Sequence, residues 1–156
     1  MNFKLWLEGK VTEETKKRIY EKITTIGIPV RRGERPRYHK EYASDPGDLG
    51  RGIYYDTNYH RAKSYGNVTK TNIKFKNPIV LTAREAYDLA GKFGTVKLTD
   101  DELMQFRDPD DRTNLLLQHA QALTDHMIKL GHDGMVCIHT DRYHLEIVDY
   151  RPYIKG

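Results

Sequence analysis

Apolar residues recur along the chain in short runs whose spacing switches between helical and strand periods. Ile19, Ile23 and Ile26 repeat at intervals of four and three, the stripe of an amphipathic helix. Thr12 is placed to cap that helix, and Glu13 and Glu14 fall in its first turn, where the helix dipole favours acid. Gly27 supplies a stop, and Pro29 opposes continuation. A short strand over Phe3 to Leu7 precedes this helix, and Ile28 to Arg32 reads as the next strand. Gly33 to Gly50 is polar and carries Pro36, Pro46 and Gly47; a loop of that length is often functional.

Further along, strands are predicted at Ile53 to Asp56, Val68 to Phe75 and Ile79 to Leu81, with a short helix from Tyr59 to Tyr65. Thr82 with Glu85, and Thr99 with Glu102, each form a capping-box pattern that opens a short helix. A longer helix spans about Asp111 to Leu130, with Leu116, Ala120, Leu123, Met127 and Leu130 as its core stripe and Gly131 as its stop. Met135 to Ile138 and Leu145 to Tyr150 close the chain as strands around a turn at 140–143. Strands and helices are mixed without a strict βαβ rhythm, which favours an α+β fold.

Composition narrows the class. A chain of 156 residues with 38% hydrophobic and 31% charged positions fits one globular domain, with residues 1–27 as an N-terminal strand-helix extension. No apolar run approaches the roughly 20 residues of a membrane span, and MNFKLWLEGK lacks a signal-peptide core, so a cytoplasmic protein without a membrane partner is expected. Cys137 is the single cysteine; a buried structural thiol in the run MVCI is expected, and no thiolate cluster for zinc. His119 and His126 lack an obvious acidic or cysteine partner in sequence, so no metal is expected. The formal charge of +4 suits phosphates, on a nucleotide or on a nucleic acid.

Chemistry concentrates in GRGIYYDTNYHRAKSYG at 50–66, where Tyr54 and Tyr65 stand on a strand and on the helix after it. Such a pair can sandwich a cationic ring, each contact contributing about 0.5–2 kcal/mol by stacking and cation–π attraction. With eleven tyrosines in the chain, the spacing alone is also compatible with ordinary aromatic packing. The whole string, G-x-G-[IF]-Y followed by an A-x-x-Y helix, resembles the nicotinamide-binding region of the diphtheria-toxin and poly(ADP-ribose) polymerase branch of the ADP-ribosyltransferases. The resemblance implies a split mixed β-sheet core flanked by helices. It also implies NAD as co-substrate, Tyr54 and Tyr65 as the stacking pair, and Gly52 at the cofactor. VTKTNIKFKNPIVL at 68–81 resembles the strand pair that follows in many bacterial and phage members.

A carboxylate beside the ribose would lower the barrier to an oxocarbenium-like state, as in glycoside hydrolysis. Period-two counting puts His144, Glu146, Val148 and Tyr150 on one strand face, so Glu146 interrupts a largely apolar surface; a solvated strand start is the alternative reading. GHDGMVCIHTDRYHLEIVDYRP resembles the closing segment of the family, which implies Glu146 as the catalytic glutamate. The family's early strand ends in His-Gly or Arg-Gly; here Arg32 and Gly33 match, with His39 in RYHKE as the competing candidate. His144 stands where the arginine-modifying branch usually has Glu or Gln, so an arginine acceptor lacks support.

The implied activity is transfer of one ADP-ribose from NAD to a macromolecular acceptor, RNA, DNA or protein, by a toxin, phage-defence or host-modifying factor. Such factors imply an antitoxin or inhibitor as a further partner. Two other readings stay open: a small basic ribonuclease using His39 or His144 with Glu146 and Arg142, and a binding module of the same fold without turnover.

Overall fold

The computed structural model describes residues 13–34, 47–64, 66–96, 100–105, 109–140 and 143–155. Six strands, β1 (Ile28–Glu34), β2 (Ile53–Asp56), β3 (Asn67–Ile73), β4 (Ile79–Thr82), β5 (Gly134–His139) and β6 (His144–Asp149), form one mixed sheet in the order β3-β1-β2-β6-β5-β4. Only β4 and β5 run parallel; the other neighbours are antiparallel. The helices are α1 (Glu13–Thr25), α2 (Tyr59–Lys63), α3 (Ala83–Phe93), α4 (Asp100–Gln105) and α5 (Pro109–Lys129). The fold is α+β, as the mixed periodicities predict. No described helix is long and apolar enough to cross a membrane.

Alternation along each strand feeds two cores on opposite faces of the sheet. Met135, Cys137, Val148 and Tyr150 point to one face, where Ala86 and Ala90 of α3, Leu123 and Met127 of α5, and Leu49 cover them. Val136, Ile147, Ile28, Val30 and Ile73 point to the other, where Ile23 of α1 seals them. Each such aliphatic side chain contributes about 1.5–3 kcal/mol on burial. Ile23 makes α1 part of the sheet's second layer rather than an appendage.

Local signals set most boundaries. Thr82 and Glu85 form a complete capping box, with Glu85 N donating to Thr82 Oγ1 at 3.1 Å and Thr82 N to Glu85 Oε1 at 3.0 Å. Gly27 ends α1 with φ of +83°, and Gly131 follows α5 with φ of +92°. Two stripe residues differ from expectation: Ile26 and Leu130 are 72% and 56% exposed, since each lies past the last full turn and faces away from the sheet. The 1–12 segment, Thr99, His39, Tyr65 and Arg142 lie outside the described residues.

The GHDG segment has a structural role of its own. Asp133 accepts the Lys76 and Asn77 amides at 2.7 and 3.0 Å, and a Cβ at Gly134 would meet the Phe75 ring at 2.5 Å. The segment therefore clamps the loop before β4 to the start of β5.

Candidate active site

β1, β2 and β6 lie side by side, so the sheet gathers strands that are far apart in sequence. β1 and β2 share a single registered pair, Arg31 opposite Asp56. Register extends that pair into a row across the sheet: Arg31, Asp56, Glu146, Cys137 and Leu81 stand on five consecutive strands. Directly opposed residues share a face. Leu81 and Cys137 pack into the core under α3 and α5, so Glu146 also belongs to that side.

Glu146 is at the centre of a polar network. His139 Nε2 lies 3.1 Å from Glu146 Oε1 and 3.5 Å from Cys137 Sγ. The carboxylate accepts, so Nε2 carries the proton and donates. The His139 ring stacks on that of His144, with centroids 4.5 Å apart and planes 4° from parallel. His144 Nδ1 donates to Asp56, 3.0 Å from each carboxylate oxygen, and Asp56 Oδ1 also accepts the Asn58 amide at 2.7 Å. The side chains of Glu146 and His139 are 18% and 12% exposed, and that of His144 is 4% exposed. Solvent thus reaches the Glu146 end of the chain of contacts and hardly the His144 end.

The surroundings respond to this charge. Burial, with smaller contributions from Glu146 and Asp56, pushes the Cys137 thiol up to about 12. The same burial dominates at Tyr87, which is raised further by Glu146, Cys137 and Asp48 and opposed by Arg61. Tyr87 of α3 meets the His139 ring edge-on at 6.2 Å. Burial raises Asp56 as well, against the Asn58 amide and His144, which both favour its ionised form. Tyr87 and Asp48 therefore lie within electrostatic reach of Glu146, and Arg61 within reach of Tyr87.

Tyr54 also belongs to the Glu146 face. Its hydroxyl donates to the Gly50 carbonyl and accepts the Leu49 amide at 3.1 Å. A Cβ at Gly47 would overlap that hydroxyl, so the loop closes over Tyr54 only with glycine there. The loop is itself tied to α5, where Thr124 Oγ1 accepts the Arg51 amide at 2.7 Å. Gly52 is required by packing: a Cβ would lie 2.6 Å from the Asp149 carbonyl oxygen and from Val148 Cγ1 on β6.

The first-motif residues divide. Arg32 has the parity of Ile28 and Val30, whose side chains enter the second core, so it projects to the face opposite Glu146. Arg31 holds the Glu146 side instead. Its Nη1 donates to the Thr57 carbonyl at 3.1 Å, and its guanidinium lies 5.9 Å from the Tyr59 ring centroid. Among the described residues, the buried Nε atoms of Arg31 and Arg61 have no acceptor. Gly33 pairs with Val68 on the β3 side of β1.

Asp56, His139 and Arg31 escaped the sequence reading, although a signal existed. A turn at 140–143 makes His139 pair with His144 and Cys137 with Glu146 by simple counting. His119, read without an acidic partner, lies 3.2 Å from Glu102. Comparison of the chain with protein-family profiles, characterised proteins and solved structures returns no match.

Proposed function

We propose that this chain is a mono-ADP-ribosyltransferase that cleaves NAD and passes ADP-ribose to a macromolecular acceptor. One observation carries the reading: β1, which holds the Arg-Gly pair, β2, on which the Gly-x-Gly-Ile-Tyr string ends, and β6, which holds Glu146, are adjacent in the sheet. Nothing in the linear spacing of residues 32, 54 and 146 requires that adjacency.

Glu146 is the catalytic carboxylate of this reading. His139 holds Oε1, which leaves Oε2 to accept a ribose hydroxyl. As the C1'–N1 bond breaks, its electron pair leaves with nicotinamide and positive charge grows on the ribosyl carbon. A fixed carboxylate in a partly desolvated site opposes that charge without reorganising. The acceptor's nucleophile then bonds to C1' and loses its proton. Tyr54, locked at its hydroxyl, offers a pre-set ring to nicotinamide, with Tyr65 as its expected counterpart. Arg31, rather than Arg32, is the guanidinium on the side of Glu146 and is suited to NAD phosphate or ribose oxygens.

In the ribonuclease reading His144 is poorly placed to reach a phosphodiester, its ring being 4% exposed between Asp56 and His139, and the other candidate, His39, lies outside the described residues.

The test is Glu146→Gln. The variant is expected to bind NAD like the parent while nicotinamide release and transfer of labelled ADP-ribose to lysate protein or nucleic acid fall by at least about 100-fold. Full activity in this variant would remove Glu146 from its role. Absence of any nicotinamide release by the parent, with labelled NAD and whole lysate, would end the transferase reading.

A further inference from the structure

Three side chains of different chemistry converge where β5 meets β6. Cys137 Sγ, His139 Nε2 and a Glu146 carboxylate oxygen all lie within 4.8 Å of one another. Cys137 stands directly opposite Glu146 in the ladder, and His139 follows two residues later on the same face. We propose that these residues form a binding site for one zinc ion, and that zinc inhibits the enzyme by occupying the Glu146 carboxylate.

The distances carry the inference. Tetrahedral zinc, with bonds of about 2.3 Å to sulfur and about 2.0–2.1 Å to nitrogen and oxygen, separates its sulfur and nitrogen ligands by about 3.5 Å and its nitrogen and oxygen ligands by about 3.3 Å. The Sγ to Nε2 distance is 3.5 Å and the Nε2 to Oε1 distance 3.1 Å. Two edges of a zinc polyhedron are therefore in place before any ion arrives, and the third, from Sγ to a Glu146 carboxylate oxygen, is within 4.8 Å and closes by a small rotation of the Glu146 side chain. Thiolate with imidazole suits zinc and disfavours magnesium and calcium, which take oxygen. Both strands are interior to the sheet, so the ligands are held by paired backbone on either side. The low exposure of Glu146 and His139 keeps competing water sparse.

Binding balances simply. The Cys137 S–H bond is replaced by S–Zn, and its proton goes to solvent. The His139 ring moves its proton from Nε2 to Nδ1, so that Nε2 turns from donor to ligand. Glu146 exchanges its hydrogen bond with His139 for the metal. Three protein ligands leave one position for water. Ion binding stands apart from the transferase reading, and only the inhibition rests on it.

The experiment uses the full chain, stripped with chelator under reducing conditions, then titrated with Zn2+ against a chromophoric chelator and with Co2+ optically. One equivalent should bind, with Co2+ giving a thiolate charge-transfer band. Cys137→Ser should lose that band, and His139→Gln should weaken zinc binding by at least about 100-fold, since outer-shell partners alone are worth about 10–100-fold. Circular dichroism checks the fold of each variant, and His139→Gln, at a partly exposed position, decides the matter if Cys137→Ser does not fold. Zinc should also suppress nicotinamide release by the parent, and should lower the release that Cys137→Ser retains by a smaller factor. No binding at micromolar zinc, or unchanged binding in folded His139→Gln, overturns the site. Binding that leaves turnover intact overturns the inhibition. The cobalt spectrum reads the site even in a chain that releases no nicotinamide, so the two proposals fail separately.

Discussion

At the scale of single residues, the alternation of side chains decides which arginine shares a face with Glu146. Arg31 and Arg32 are neighbours in sequence and lie on opposite faces of β1. Arg31→Ala is expected to raise the KM for NAD by about 10–100-fold, the range of a lost hydrogen bond to a charged partner at about 1.5–3 kcal/mol. Arg32→Ala should change it by less than about two-fold, within the small range of most surface substitutions. Steady-state kinetics with NAD separate the two; the reverse ranking would return the role to Arg32. The choice was legible in IPVRRGE, where Ile28 and Val30 must share a core face and carry Arg32 with them. The motif match pointed to Arg32 because it weighed the following glycine and not the parity. Tyr54 and Glu146 were singled out from local strings, and the structure sets them on one face of the sheet. Asp56 and His139 were not, because their relevance comes from cross-strand pairing, which only a committed register reveals.

At the scale of elements, caps and ties hold the pieces that frame the site. Lys16 of α1 pairs with Glu85 of α3 at 2.6 Å, joining the two helix layers around the β4 edge. Glu85 is held below its ordinary value of 4.5, first by Lys16 and then by the Thr82 amide. A carboxylate lowered in the folded state adds stability that is present above the unfolded value and lost as pH falls through the folded one. Glu85→Gln should therefore cost about 0.5–1 kcal/mol at pH 7 by urea unfolding, the modest figure befitting a cap and a half-exposed pair. The difference should vanish once pH drops below the folded value; a constant difference down to pH 2.5–3, roughly the lower end of glutamate titration, would contradict this assignment. Thr124 is a different tie. Its buried hydroxyl accepts from Arg51 N and donates to a carbonyl, Arg51 at 2.9 Å or Ala120 at 3.1 Å. Thr124→Val should cost about 1–3 kcal/mol, the penalty for a buried amide left without its acceptor. Hydrogen exchange should show the extra opening at Arg51 first. These elements were readable from caps and glycines, whereas the tie across 73 residues from Arg51 to Thr124 was not.

Over the whole molecule, one sheet separates two cores. Ile23 lies in the layer under α1 and Leu123 in the layer under α5, both fully buried. Ile23→Val should cost about 0.5–1.5 kcal/mol and Leu123→Ala about 2–5 kcal/mol. Because the two clusters share no member among the described residues, the double variant should equal the sum within about 0.5 kcal/mol by chemical denaturation. A larger coupling would mean that the sheet transmits packing from face to face.

The single rung at Arg31 and Asp56 bears on opening motions. β1 and β3 are zipped along seven registered pairs, and β2 and β6 along four, while one pair joins the two groups. Cooperative units part where fewest bonds cross. Such a molecule would breathe at that rung before either half unravels. The row from Arg31 through Asp56 to Glu146 crosses the same rung, so opening there would part Arg31 from Asp56, Glu146 and His139, which stay together on β2, β6 and β5. Opening of the seam and loss of the guanidinium beside the carboxylate are then one event.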